Sequence, residues 1–235
     1  MTSSATRATR WLRREPGFLM LAIASILAGG GCGRPELSGF LEPYTGFHEI
    51  SSINPNLEYV QPGVNWGAYR KVRIAKVLAY VHPMAGYRPL NPDDLKMLVG
   101  QFEADLVEAF GRVLEPTAEP GPDVLDVHAA VTRLRPTDLA ANTAAWILPG
   151  SVAVTAGYQA VTNSNLALGE AGIEVELTDS LTGERRYGFV ALHLGSSIEF
   201  EQVARWGIAE KALKDWAEFL EERLKFLKTH PGGSQ

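Results

Sequence analysis

The chain has 235 residues with 22 basic and 27 acidic side chains, and its only cysteine is Cys32. Residues 1–31 contain four of the basic residues and one of the acidic ones, so residues 32–235 carry 18 basic against 26 acidic side chains, a net charge of −8. This charge argues against binding to nucleic acid or broadly to anionic lipid, and a single cysteine excludes a disulfide within the chain. The remaining length suffices for one domain with a sizeable core.

The first predicted element is an export signal at residues 1–31. Its apolar run from Phe18 to Ala28 has about 11 residues, against the roughly 20 that a helix needs to cross a bilayer. Basic residues precede the run and glycines follow it, which is typical of a secretory signal rather than of a spanning anchor. The basic residues are Arg7, Arg10, Arg13 and Arg14.

The end of this segment resembles the lipobox of bacterial lipoproteins, in which small residues lead into a cysteine that is acylated and becomes the new N-terminus. Three glycines precede Cys32, although Gly29 stands where that pattern usually has leucine. The resemblance implies lipidation of Cys32 by acyl chains such as palmitate, and two or three chains suffice for stable anchoring. The resemblance associates an aspartate directly after the cysteine with retention in the inner membrane. Gly33 stands there instead, which favours the periplasmic face of the outer membrane in a Gram-negative cell. The alternative is a free thiol beside an ordinary cleavage site.

Residues 32–67 are predicted to form a lipid-anchored tether and an aromatic-rich arm. Their many Pro, Gly, Ser and Asn residues indicate irregular backbone, with a short strand around Leu57–Val60. The aromatic side chains indicate that the arm lies against the rest of the protein, because each would bury a large apolar area on docking. They are Phe40, Tyr44, Phe47, Tyr59 and Trp66.

Residues 68–230 are predicted to form a single α+β domain. Lys71–Val81 has apolar residues on both faces, which indicates an interior strand. Asn91 is predicted to cap a helix that begins at Pro92 and carries one apolar stripe. Val124–Leu134 is the second predicted strand. Because a long helix connects the two strands, we expect them to be parallel.

Ile173–Thr178 is predicted as a half-exposed strand that forms an antiparallel hairpin with Arg186–Leu194. The last element is a helix over Val203–Lys228, with apolar residues at steps of three and four. We interpret it as packing on the sheet, and a coiled-coil seam with a partner is the alternative. The fold class is therefore α+β, a mixed sheet of about four or five strands with two long helices packed on it, preceded by an extended arm.

An uncharged insertion at residues 139–169 separates the second and third predicted strands. Its 31 residues lie between Asp138 and Glu170, and a connection of this length inside a compact domain is often functional. One interpretation is a helical segment that packs on the sheet and covers its edge. The other is a surface that contacts lipid or a partner protein. Its candidate contact residues are Trp146, Ile147, Leu148, Val152, Val154 and Tyr158.

The sequence contains none of the usual catalytic or metal-binding motifs. Its five histidines are isolated, and no Gly-x-Ser-x-Gly, Walker-type or dinucleotide-type glycine pattern occurs. His128 and His193 fall within predicted strands, and we interpret them as structural or surface residues. Two pairs of carboxylates are interpreted as a solvated face: Asp123 with Asp126, and Glu174 with Glu176. We therefore predict no catalytic residue, no cofactor and no metal.

Six short motifs are spread over the chain after Cys32. They are Gly39-Phe-Leu-x-x-Tyr44, Trp66-x-x-Tyr69-x-Lys71-Val72, Leu148-Pro-Gly150, Gly169-Glu-Ala-Gly-Ile-Glu174, Asp179-x-x-Thr-Gly-Glu184 and Trp206 at the start of the last helix. Together they resemble the bacterial lipoprotein family defined by domain of unknown function 3313, over nearly the whole mature chain. The resemblance implies an envelope lipoprotein and brings no activity, cofactor or catalytic residue with it.

We expect this protein to be a non-enzymatic envelope lipoprotein that acts by binding, as an accessory or assembly factor. Its expected partners are the membrane, through the acyl chains on Cys32, and an unknown envelope protein. A small-molecule or lipid-binding carrier is the alternative, and it would need a closed apolar cavity between the sheet and the insertion. A cell-wall or glycan hydrolase is a third, weaker alternative.

Overall fold

The computed structural model describes residues 37–50, 56–80, 90–137, 168–194 and 204–230. All of them belong to one compact unit, Cys32–Gln235. A short 3-10 turn occupies Trp66–Ala68. In chain order the remaining elements are β1 (His48–Glu49), β2 (Leu57–Val60), β3 (Lys71–Ile74), β4 (Leu78–Ala79), α1 (Pro92–Gly111), β5 (Glu115–Pro116), β6 (Val124–Thr137), β7 (Leu168–Asp179), β8 (Arg185–Leu194) and α2 (Gly207–Thr229).

These strands form one mixed sheet in the order β1-β2-β8-β7-β6-β3-β5, and β4 also pairs with β6. The predicted parallel pairing of β3 with β6 and the predicted antiparallel hairpin of β7 and β8 are both confirmed. The α+β class is confirmed, but the described sheet has eight strands, not four or five. Most of the additional strands are only two residues long, too short to produce a recognisable alternation of apolar and polar residues.

The predicted first strand is interrupted. Instead of one strand over Lys71–Val81, β3 and β4 each pair with part of β6, and Ala75–Val77 lie between them. At this break the Val77 amide donates to the Glu103 Oε2 of α1, at 2.9 Å, instead of to a neighbouring strand. The run of apolar residues predicted a continuous strand. It could not predict the break, because the acceptor of the Val77 amide lies on α1.

The two helices pack on one face of the sheet and against each other. As predicted, the Asn91 Oδ1 accepts a hydrogen bond from the Asp93 amide at 2.9 Å and caps α1. The predicted core-facing role of α2 is also confirmed, because its apolar stripe is buried in the core of this chain. The stripe comprises Trp206, Ala209, Leu213, Trp216, Leu220, Leu224 and Leu227. Neither described helix is apolar enough over sufficient length to span a membrane.

Residues 37–50 belong to the segment predicted as a tether and arm, and they cover part of the opposite face of the sheet. From here on, "the arm" means residues 37–50. On this face Leu78, Ala130, Glu174, Val190 and Leu57 occupy one row across five strands. The prediction of a half-exposed β7 is wrong, because Glu174 and its neighbours Ala130 and Val190 are buried. Both faces of the central strands are therefore covered, one by helices and the other at least partly by the arm.

Candidate functional site

The buried carboxylate of Glu174 binds the arm. Its Oε1 accepts a hydrogen bond from the Ser38 amide at 2.7 Å. Its Oε2 accepts from the Leu41 amide at 3.1 Å and from the Tyr44 hydroxyl at 2.7 Å. The Glu174 side chain is 0% exposed, so these three donors replace the water that an ionised carboxylate would otherwise need.

The Tyr44 hydroxyl closes the arm on itself. It accepts a hydrogen bond from the Gly39 amide at 2.8 Å while it donates to Glu174. Gly39 has a φ of 92°, a left-handed conformation that favours glycine, and this turns the chain back toward the tyrosine. Burial and the hydrogen bond to Glu174 raise the pKa of Tyr44 to about 12, so the hydroxyl remains a donor at neutral pH.

Arg185 binds the carbonyl groups of the same segment. Its Nη2 donates to the Leu41 carbonyl and its Nη1 to the Pro43 carbonyl, each at 2.8 Å. Its Nε donates to the Glu176 Oε2 at 2.7 Å, which fixes the guanidinium plane. Glu174 thus satisfies amide donors of the arm and Arg185 satisfies its carbonyl acceptors. This complementarity pairs the Ser38 and Leu41 amides and the Leu41 and Pro43 carbonyls, which lie in irregular backbone outside any strand ladder.

Gly188 of β8 provides space for the end of the arm. A Cβ at this position would lie 2.4 Å from the Phe47 Cζ, so only glycine admits the ring at this distance. The Phe47 ring also contacts Tyr44 and Tyr59, with centroid distances of 5.8 and 5.7 Å. We refer to Glu174, Glu176, Arg185 and Gly188 as the arm-binding site.

A second polar cluster lies at the hairpin end of the sheet. The Tyr69 hydroxyl donates to the Asp179 Oδ2 at 2.9 Å and accepts from the Arg186 Nε at 3.0 Å. Burial opposes ionisation of Asp179, but hydrogen bonds from the Thr182 amide, the Tyr69 hydroxyl and the Leu181 amide outweigh it and lower the pKa of Asp179 to about 2. This cluster joins the 3-10 turn to the β7–β8 hairpin.

A third polar contact ties β2 to α2 on the helix side. The Arg223 Nε and Nη2 donate to the two carboxylate oxygens of Glu58 at 2.7 and 2.6 Å. Glu58 is only 2% exposed, and the hydroxyl of the fully buried Tyr187 lies beside the pair. Burial and the negative charge of Glu58 raise the pKa of Tyr187 well above its ordinary value.

The polar groups of these three contacts hold elements of the fold together. The carboxylates of the three contacts accept hydrogen bonds from the backbone or from specific side chains, and no cluster of three or more His, Cys, Asp or Glu suited to a metal occurs among the described residues. His128 and His193 lie half-buried in β6 and β8, the strands predicted for them. A cleft of about 300 Å³ between the helices is lined mainly by charged and polar side chains of α1 and α2. The apolar cavity that a carrier would need was expected between the sheet and the insertion, which lies outside the described residues, so that alternative stays a prediction.

The structure brings together motifs that are distant in the sequence. The motif that ends at Tyr44 meets the one that ends at Glu174, and the motif that contains Tyr69 meets the one that begins at Asp179. The interpretation of the carboxylate pairs as a solvated face is wrong for Glu174, which the arm covers, and for Asp126. The Asp126 Oδ1 accepts from the Arg73 Nε at 2.8 Å.

Sequence reasoning missed Glu174 and Arg185 as a binding pair. The only signal for it in the sequence was the position of Glu174 at the end of the motif Gly169-Glu-Ala-Gly-Ile-Glu174. Cys32 and the insertion residues lie outside the described residues, so their predicted roles stay predictions. The insertion residues are Trp146, Ile147, Leu148, Val152, Val154 and Tyr158.

The described residues define an α+β protein in which a buried carboxylate holds an N-terminal arm on the sheet face opposite the helices. The family model described as "Protein of unknown function (DUF3313)" matches residues 36–220. The chain belongs to this family.

Solved structures with low similarity include a PelC dodecamer from Paraburkholderia phytofirmans, at 11% identity and a TM-score of 0.40, covering 69% of this chain and 96% of that one. A DUF330 protein from Xanthomonas campestris has 16% identity and a TM-score of 0.39, covering 72% and 93%. A putative neuraminyllactose-binding hemagglutinin homolog from Helicobacter pylori has 10% identity and a TM-score of 0.38, covering 78% and 94%. Similarities at this level carry no inference about this chain. The comparison with curated proteins found no match.

Proposed function

We propose that this protein is a lipid-anchored, non-enzymatic binding or accessory factor of the bacterial envelope, held at the periplasmic face of the outer membrane by acyl chains on Cys32. The sequence supports this through the short apolar leader that ends in the only cysteine. One structural observation carries the proposal. The arm begins five residues after Cys32, and a buried carboxylate binds it to the centre of the sheet.

This arrangement suits an anchored protein because the chain next to the anchor is bound to the body. A freely hanging tether would need no buried partner, whereas here the hydrogen bonds from Ser38, Leu41 and Tyr44 offset the cost of burying the Glu174 carboxylate and hold the arm in place. With Glu174 and Arg185 bound to the arm, the anchor has a defined point of attachment to the domain. The proposed activity is therefore binding at a set position relative to the membrane.

The proposed protein partner is another envelope protein that binds the insertion at residues 139–169. The support is its length and lack of charge, which are unusual for a connection in a compact domain. The proposed contact residues are Trp146, Ile147, Leu148, Val152, Val154 and Tyr158.

The anchor is tested by replacing the cysteine. We expect the Cys32→Ala variant to move from the membrane fraction to the soluble fraction, because no acyl chain can be attached. Mass spectrometry of the native protein should find an acylated Cys32 as the first residue. Glu36→Ala, a nearby change that keeps the cysteine, is the control and should remain in the membrane. A Cys32→Ala variant that stays in the membrane would refute the lipid anchor.

The partner surface is tested by photo-crosslinking in cells from positions 147 and 152, with position 181 on the β7–β8 turn as the control. Crosslinks from the insertion to one envelope protein, and none from position 181, would support the proposal. The Ile147→Lys and Val152→Lys variants separate the two interpretations of the insertion. Unfolding indicates that it is buried, whereas a folded variant that loses the crosslinked partner indicates an interface.

A further inference from the structure

Exposed apolar side chains lie beside the arm on the sheet face opposite the helices. Leu78 is in register with Ala130, which is in register with Glu174, so Leu78 lies two strands from the carboxylate that holds the arm. At roughly 4.8 Å per strand this separation is about 10 Å. Leu78 is 50% exposed and Tyr80 is 43% exposed, although both belong to a segment with the apolar pattern of a buried strand.

The arm contributes apolar side chains to the same place. The ring of Phe40 packs on the ring of Tyr80, with a centroid distance of 5.8 Å. Leu37, at the start of the arm, is 41% exposed. We call Leu37, Phe40, Leu78 and Tyr80 the edge patch. Single exposed apolar residues are ordinary on protein surfaces, but a group of them built from two segments indicates a contact surface.

The position of the predicted anchor identifies what this surface contacts. Leu37 lies five positions after Cys32, and an extended chain covers at most about 3.6 Å per residue, so this connection spans about 18 Å at most. Because the Ser38 amide is bound to Glu174, the start of the arm cannot move far from the edge patch. An acyl chain inserted in a bilayer would therefore hold this corner of the domain against the lipid surface.

The chemistry of the edge patch fits the same environment. Tyr80 carries a polar hydroxyl on an apolar ring and favours the boundary between headgroups and acyl chains, whereas Phe40 and the two leucines favour the hydrocarbon side of it. The net charge of −8 after residue 31 gives no general attraction to anionic lipid, so contact must come from apolar insertion close to the anchor.

We propose that the edge patch is a membrane-contact surface that rests in the headgroup region of the bilayer to which Cys32 anchors the protein. This inference depends on the lipid anchor proposed above. The anchor then supplies attachment and the edge patch supplies orientation, so that the helix face points away from the membrane.

Site-specific fluorescence quenching tests this surface. Single cysteines are introduced by Leu78→Cys and Tyr80→Cys in the full chain, where acylated Cys32 cannot react with the thiol label. The labelled proteins are placed in phosphatidylcholine vesicles that contain a lipid-attached nitroxide quencher. Leu181→Cys and Val107→Cys are matched controls, because these apolar side chains are 60% and 47% exposed on the β7–β8 turn and on α1. Unchanged melting temperatures establish that all four variants are folded.

We expect labels at positions 78 and 80 to be quenched several-fold more strongly than labels at positions 181 and 107. If all four labels are quenched equally while the protein floats with the vesicles, the edge patch does not contact lipid and the surface is refuted, although the anchor stands. If the protein does not float and Cys32 carries no acyl chain, the anchor is refuted, and the membrane-contact surface is refuted with it.

Discussion

Replacing Glu174 with glutamine should weaken the docking of the arm while leaving the sheet folded. A glutamine carbonyl can take the place of Oε2 and keep the hydrogen bonds from the Leu41 amide and the Tyr44 hydroxyl. Its amide group then takes the place of Oε1 and faces the Ser38 amide, a donor against a donor. One hydrogen bond to a charged group is lost and the other two become neutral.

The magnitude follows from these three contacts. A hydrogen bond to a charged group contributes about 1.5–3 kcal/mol, and a neutral one about 1 kcal/mol. At the low end of these values, the loss of one charged hydrogen bond and the weakening of two others lower the free energy of arm docking by about 2.5–3 kcal/mol, which corresponds to a change of about 100-fold in the opening equilibrium. Amide hydrogen exchange measures this local opening directly. The Ser38 and Leu41 amides should exchange about 100-fold faster in Glu174→Gln, whereas amides at the centre of β6 should change little.

The control is Glu218→Gln, which makes the same chemical change at a carboxylate on the exposed surface of α2, where the side chain is 58% exposed. It should leave the exchange of Ser38 and Leu41 unchanged. If these two amides exchange at the same rate in Glu174→Gln as in the unmodified protein, the carboxylate does not hold the arm, and the structural argument for an anchored domain is refuted.

Three further changes test other contacts. Gly188→Ala places a Cβ 2.4 Å from the Phe47 Cζ and should lower the free energy of unfolding in urea by about 1–3 kcal/mol, with a much smaller loss in a Phe47→Ala background. Arg223→Met leaves Glu58 buried without its ion-pair partner and should cost about 3–5 kcal/mol in the same assay, part of which Glu58→Gln should restore; an unchanged midpoint would contradict this. Because the pKa of Asp179 falls from about 4 when unfolded to about 2 when folded, its stabilisation is present above pH 4 and lost as the pH falls toward 2. Asp179→Asn should flatten this part of the pH–stability curve, and an equally steep curve would refute the assignment.

The local features of the fold could be predicted from short stretches of sequence. Asn91 and Pro92 mark the start of α1 because a cap and a first-turn proline act on the nearest backbone groups. The spacing of apolar residues in α2 identifies its buried face, because side chains on one face of a helix recur every three or four residues whatever the helix packs against. The parallel pairing of β3 with β6 follows from the long connection between them.

The arm-binding site could not be predicted in this way. Alternation along β7 indicated that Glu174 faces solvent, and its geometry within the strand is indeed that of an outward residue. What buries it is a segment 130 to 136 residues earlier in the chain, whose amides and tyrosine replace water. The break between β3 and β4 has a similar origin, because the acceptor for the Val77 amide lies on α1.

The helices, their buried faces and the principal strand pairings could be predicted from the residues alone, because each depends on spacing within one segment or on the connection between two. The family could be predicted from short motifs spread over the chain. Which polar residues hold the fold together, and which apolar residues remain exposed, depends on contacts between distant segments. The alternation of side chains along a strand indicates on which face each one lies, but it does not indicate which element covers that face. For Glu174 the covering element is the arm, whereas Leu78, in the same row of the sheet, remains half exposed.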